Sequence, residues 1–195
     1  MPNATDNHEQ ALVQRAIDDP DAFQELYHRY FRRLYSYVIS RIGNPHDAED
    51  VVSEIFLRVV KRLDQLRNRY PASFAAWLFT IARNTITDHY RRFGRRETLI
   101  SLEAAEPLPA TAWEPDRAVT AHEQSAQLHQ LVLMLPERQR EIITLRYYGG
   151  LRNQEIAAVL GIGEKTVSAY LSRALDELRK QYVASLSQGI KEGKS

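Results

Sequence analysis

The residues of this chain best placed to do chemistry are suited to holding nucleic acid. Within Asn153–Arg173, NQEIAAVLGIGEKTVSAYLSR, the side chains of Glu164, Lys165, Thr166, Ser168, Ala169, Ser172 and Arg173 point outward from the second of two helices, while Ile156, Leu160, Val167 and Leu171 supply the buried side of the pair. Ala157 is small where two helices must approach, and Gly161 falls where the first must turn, a place where a Cβ is costly. The pattern is that of a helix-turn-helix, whose second helix enters a major groove by its first turns. From spacing alone, a plain helical hairpin inside an all-α domain stays open as the alternative.

A second group offers different chemistry. Thr80, Arg83, Asn84, Thr87 and Arg91 lie on one side of a helix read over Phe74–Tyr90, and Arg92, Arg95 and Arg96 follow. Tyr70, Trp77, Tyr90 and Phe93 lie nearby. Arginines that neutralise phosphates beside aromatics that stack on bases make a single-strand surface. The competing reading puts the aromatics in the core, and for Phe74 and Trp77 it is at least as strong.

Catalytic patterns are missing from the sequence. His8, His28, His46, His89, His122 and His129 show no HExxH spacing, there is no Walker A sequence, and no Ser sits in a G-x-S-x-G elbow. We therefore expect no catalytic residues, no metal ligands and no cofactor. The absence of Cys excludes disulfides and thiolate metal sites. No apolar run approaches the roughly 18 residues of a membrane span, so no membrane partner is expected and the cytoplasm is the default location.

The elements that must position these surfaces are helical. Ala11–Ile17 reads as a short helix ended by Asp18-Asp19-Pro20-Asp21, and Ala22–Ile42 as a core helix stopped by Gly43-Asn44-Pro45. A helix over Asp47–Leu66 opens with acids and closes with bases, which suits its dipole. Its apolar stripe is Val51, Val52, Ile55, Phe56, Val59, Val60 and Leu63, which leaves Leu57 exposed among Asp50, Ser53, Glu54 and Lys61. After Ser125 come a helix through Leu135, a second over Glu137–Tyr148 closed by Gly149-Gly150, and the helix-turn-helix, with its last helix running to about Tyr182. Ser185–Ser195 reads as a polar, frayed end.

Glu97–Gln124 differs from both flanks. It holds Pro107, Pro109 and Pro115, no sustained apolar period, and a net charge of −5. It reads as a flexible acidic linker, and it explains why the whole chain of 195 residues carries only +1 despite its basic helices. The fold class is all-α, with two small helical domains over 1–96 and 125–195 joined by the flexible linker 97–124.

Three segments in this order and spacing, Asn44–Leu63, Phe74–Arg92 and Leu135–Leu178, resemble the bacterial RNA polymerase sigma factors of the extracytoplasmic-function (ECF) type. The resemblance covers most of residues 20–180, with a sigma domain 2-like first half and a sigma domain 4-like second half. It implies a subunit that binds core RNA polymerase and promoter DNA, with an anti-sigma factor as a further partner in many relatives. Asp47, Asp50, Glu54 and Leu57 would then dock on the polymerase. Tyr70, Ser73, Arg83, Asn84, Thr87, Arg91 and Arg92 would hold the −10 element as single strand, with one base flipped from the stack at a cost of a few kcal/mol. Lys165, Thr166, Ser168, Ala169, Ser172 and Arg173 would read the −35 element as duplex, with Lys165 and Arg173 the main candidates for phosphate or guanine contacts.

The chain departs from the family pattern after Thr166-Val167. Many relatives carry a basic residue, then Ser, then Arg, where this chain has Ser168, Ala169 and Tyr170. The −35 sequence therefore does not follow by analogy. A stand-alone duplex-binding regulator is the alternative function, although it has no use for an acidic and leucine face in the same domain as a single-strand surface.

Overall fold

The computed structural model describes residues 4–67, 71, 73–93 and 127–192, all of them helices and the turns between. The first domain holds α1 (Ala4–Ala16), α2 (Pro20–Ile42), α3 (Pro45–Leu63) and α4 (Phe74–Phe93). The second holds α5 (127–134), α6 (Glu137–Ile143), α7 (Asn153–Leu160) and α8 (Glu164–Glu192). The linker expected over Glu97–Gln124 lies outside the described residues.

Local chemistry sets most boundaries. Asp19 caps α2 by accepting from the Asp21 amide, and Pro20 opens it, where a missing N–H costs nothing. Gly43 closes the helix at φ 81°, its N–H bonded to the Ile39 carbonyl. Asn44 then caps α3 at 3.1 Å from the Asp47 amide, so Pro45 is the first residue of α3 as well as the end of the previous run. α3 tightens into a 3₁₀ turn over Asp64–Leu66 instead of continuing as α-helix. Ser73 caps α4 by accepting from the Ala76 amide at 3.3 Å.

The first-domain core is built around Leu34, Val38, Ile39, Ile55, Leu78 and Phe79, all fully buried. Tyr30 meets Phe74 edge-on at 5.3 Å, and Tyr37 packs on Phe79 at 5.4 Å. Val60 departs from the expected stripe: it is 53% exposed, on the same side of α3 as Leu57.

In the second domain Ile142, Leu145, Leu151, Ile156, Val167 and Ala174 form the core. The single helix expected over Glu137–Tyr148 is instead α-helix to Ile143 and a π turn over Thr144–Tyr148, with Gly149 N–H bonded back to Thr144 O at 3.0 Å. The wider turn carries Gly149 onto the first domain, where an added Cβ would lie 2.7 Å from Phe79 Cε1. α8 also runs past Tyr182 to Glu192, so Ser185 lies within helix rather than in a frayed end. Ser185 Oγ donates to Tyr182 O and accepts from Gln127 Nε2 at 2.8 Å, which ties the far part of α8 to α5.

The two domains share a face. The π turn packs on α2, and α7 packs on α4.

Candidate nucleic-acid interface

Three surfaces expected from the sequence can be located. The first is the helix-turn-helix of α7 and α8. Gly161 makes the turn in the left-handed region at φ 64°, and the Ile162 amide bonds back to Ala157 O at 3.1 Å. A Cβ at Gly161 would meet nothing within 4 Å, so the residue is needed for its backbone angle and not for space. With Ile156 and Val167 fully buried beneath, Lys165, Thr166, Ser168, Ala169, Ser172 and Arg173 all stand exposed along one side of α8.

One of these six is partly committed. Ser168 Oγ accepts from Asn153 Nδ2 at 3.1 Å and donates to Glu164 O at 3.2 Å. Asn153 thus joins the first residue of α7 to the exposed side of α8. The sequence reading did not single it out, although an amide fifteen positions before an exposed serine across a turn could have suggested it.

The second surface is the outer side of α4. Asn84, Thr87, Arg91 and Arg92 are exposed, and Thr87 Oγ1 donates to Arg83 O. Arg91 pairs with Asp88 at 3.3 Å, and Arg92 lies 3.8 Å from Glu54. Among the aromatics, Phe74 belongs to the core, Trp77 is half-buried against it, and the Tyr90 hydroxyl donates to Arg41 O. Phe93 is 66% exposed, with its ring tilted against His89 at 5.0 Å. Tyr70 lies outside the described residues.

Arg83 and Ser73 face the second domain. Arg83 Nε donates to Glu141 Oε1 at 2.6 Å, a bond that raises the pKa of the guanidinium further, against the opposing effect of burial. Glu141 is nearly fully buried, and its other oxygen pairs with Arg138 at 3.3 Å. Ser73 Oγ donates to Glu155 Oε1 at 2.8 Å. Burial would raise the Glu155 carboxyl, but hydrogen bonds from the Arg152 amide, the Arg152 guanidinium and Ser73 outweigh it and hold it below the ordinary carboxylate value. Beside the Arg83–Glu141 pair lies a cleft lined by Tyr37, Arg41, Arg83, Thr87, Tyr90 and Glu141. Burial pushes the Tyr37 phenol up to about 12, so it stays a neutral hydroxyl.

The third surface is the outer face of α3. Asp50 is exposed, Leu57 is 61% exposed, and Asp47 is half-buried in the first turn. Glu54 is held by Arg58 at 2.5 Å. Leu57 and Val60, three residues apart, make an apolar patch on this acidic face, which the sequence reading had reduced to Leu57 alone. Among the described residues no group of three or more His, Asp or Glu could hold a metal ion, and no helix is long and apolar enough to cross a membrane.

Two family models match the chain. Sigma-70 region 2 covers residues 26–96, from within α2 through α4, and Sigma-70 region 4 covers residues 125–178, which include the helix-turn-helix. The ECF RNA polymerase sigma factor SigW of Bacillus subtilis is 31% identical over 84% of this chain and 90% of its own length. The chain belongs to the ECF-type RNA polymerase sigma factors. The sigma factor BldN of Streptomyces coelicolor is 35% identical over 87% of the chain, which spans 64% of that relative's length. Among solved structures, CnrH in complex with the cytosolic domain of CnrY superposes with a TM-score of 0.67 at 28% identity, over 90% of this sigma factor and 97% of CnrH. In sigma-factor terms, the exposed side of α8 lies in region 4, and the outer sides of α3 and α4 lie in region 2.

Proposed function

We propose that this chain programs core RNA polymerase for promoter-specific initiation and has no catalysis of its own. Residues 1–96 dock on the polymerase and hold the −10 strand, 97–124 link the domains, and 125–195 read the −35 duplex. The observation that carries this reading is the coexistence, in one chain, of an apolar patch in an acidic face on α3, a basic side on α4 and an exposed recognition side on α8. A regulator that only bound duplex DNA would use the last of these and leave the first two idle.

Each surface takes a distinct part. Leu57 and Val60 would insert into an apolar site on the polymerase, with Asp47, Asp50 and Glu54 choosing a basic rim around it. Asn84, Thr87, Arg91 and Arg92, with Arg83, Ser73 and Tyr70, would capture the unpaired −10 strand. Lys165 and Arg173 would anchor α8 in the major groove, where Thr166, Ser168, Ala169 and Ser172 are small enough to let the helix approach base edges. The protein would work in the cytoplasm, where the polymerase is. An anti-sigma partner is consistent with the likeness to CnrH, whose structure was solved with the cytosolic domain of CnrY.

Permanganate footprinting of a promoter complex tests the assignment of the strand-holding side. Asn84→Ala should reduce thymine reactivity around the start site while leaving duplex −35 binding unchanged. Full reactivity in the variant would contradict it.

A further inference from the structure

We propose that the second domain is an intramolecular competitor for the −10 strand: Glu141 and Glu155 occupy Arg83 and Ser73 in the free protein and release them only when the domains separate. The inference rests on the reading of Arg83 and Ser73 as strand contacts. It concerns what those two residues do before any DNA arrives.

Three sets of contacts form the latch. Arg33 on α2 donates from Nε to Gly149 O at 2.9 Å and from Nη2 to Gly150 O at 3.0 Å, gripping both carbonyls at the end of the π turn. Gly149 is pressed so closely on Phe79 that a methyl group would not fit between them. At the N-terminus of α4 Ser73 meets Glu155, and midway along the helix Arg83 meets Glu141, each at 2.8 Å or less.

The chemistry of the two acids is what makes the contact competitive. A carboxylate presents to a guanidinium or a hydroxyl the same paired, negatively charged oxygens as a backbone phosphate. Arg83 cannot satisfy Glu141 through Nε and take a phosphate in the same geometry, and Ser73 has a single proton to donate. The acids keep partners of their own on opening, Glu141 with Arg138 and Glu155 with Arg152. Separation therefore leaves neither carboxylate as a buried, unpaired charge, and the closed state is held without being irreversible. A strand-binding state present as a minor population lowers apparent affinity by its fraction.

The test uses the full chain without polymerase. Because the protein has no Cys, Ser53→Cys and Ala158→Cys place one fluorophore on each domain for energy transfer, and a labelled short single-stranded DNA pool of degenerate sequence reports binding by anisotropy. In this background Arg33→Ala and Glu141→Gln should each lower energy transfer and tighten strand binding, roughly tenfold for a closed state that dominates by that factor. Unchanged energy transfer in both variants would overturn the latch, as would opened domains with no gain in strand affinity. Adding Arg83→Ala to each variant separates this proposal from the one beneath it. Loss of the gain supports both, whereas a gain that survives leaves the latch standing and removes Arg83 from the strand surface.

Discussion

Arg58 of α3 reaches Asp88 of α4 at 3.0 Å while its second terminal nitrogen meets Glu54 at 2.5 Å. One guanidinium thus joins the helix proposed to dock on polymerase to the helix proposed to hold the −10 strand. Arg58→Ala should destabilise the first domain by about 1 kcal/mol, because the pairs are only partly shielded from water. Urea unfolding followed by circular dichroism checks this, with a lowered midpoint expected and an unchanged slope.

The apolar patch on α3 makes a separate prediction. Leu57→Ser and Val60→Ser remove side chains that are already mostly exposed, so the fold should be unaffected. Affinity for core polymerase should fall roughly tenfold for each if they fill an apolar site at the centre of that interface. Surface plasmon resonance with immobilised core enzyme measures it, and equal affinities would remove α3 from the docking surface.

On α8, salt dependence sorts the two cations by role. Lys165→Ala or Arg173→Ala should reduce the slope of log affinity against log salt by about 0.9 if the residue contacts a phosphate. A guanine contact would show itself instead by relaxed sequence preference at one position. Asn153→Ala should weaken −35 binding without changing the slope, since Asn153 acts through its bond to Ser168.

The second domain should lose stability in mild acid. Burial lowers the His129 pKa from 6.5, so its imidazole is held neutral, with Nδ1 3.1 Å from the Tyr148 hydroxyl and Nε2 buried without a hydrogen-bond partner among the described residues. Above pH 6.5 the group is neutral folded or unfolded and stability is complete. As pH falls through 6.5 toward the lower folded value, the unfolded chain takes up the proton first and stability declines. His129→Gln should flatten thermal stability across that window. Glu155 adds a second loss at more acid pH, below its unfolded value of 4.5, where its hydrogen bonds with Arg152 and Ser73 are protonated away.

Much of this architecture can be read locally. Gly43, Asn44-Pro45 and Gly161 mark helix ends because each does one job for its own backbone, a left-handed angle or an N-cap, and such signals need no partner. The outward side of α8 follows from helical period alone. Val60 escaped because a period assigns it to a stripe whose edge is decided by where neighbouring helices diverge. The π turn escaped because Gly149, which ends it, packs on Phe79 of the other domain as well as on Leu145 and Leu151, contacts that no local pattern records. The same holds for Arg33 and Gly149, which are 116 positions apart and whose pairing leaves no mark in either local pattern. Arg83 and Ser73 show their residue types to a reader of the sequence, but not that carboxylates already occupy them.

The central claim is tested most directly by run-off transcription from a library of upstream DNA fragments, with purified core RNA polymerase and with or without this protein. Discrete starts that require both proteins are the predicted result, and their upstream sequences would define the −35 and −10 elements together. No protein-dependent starts, together with tight binding of the protein alone to duplex DNA, would contradict the account.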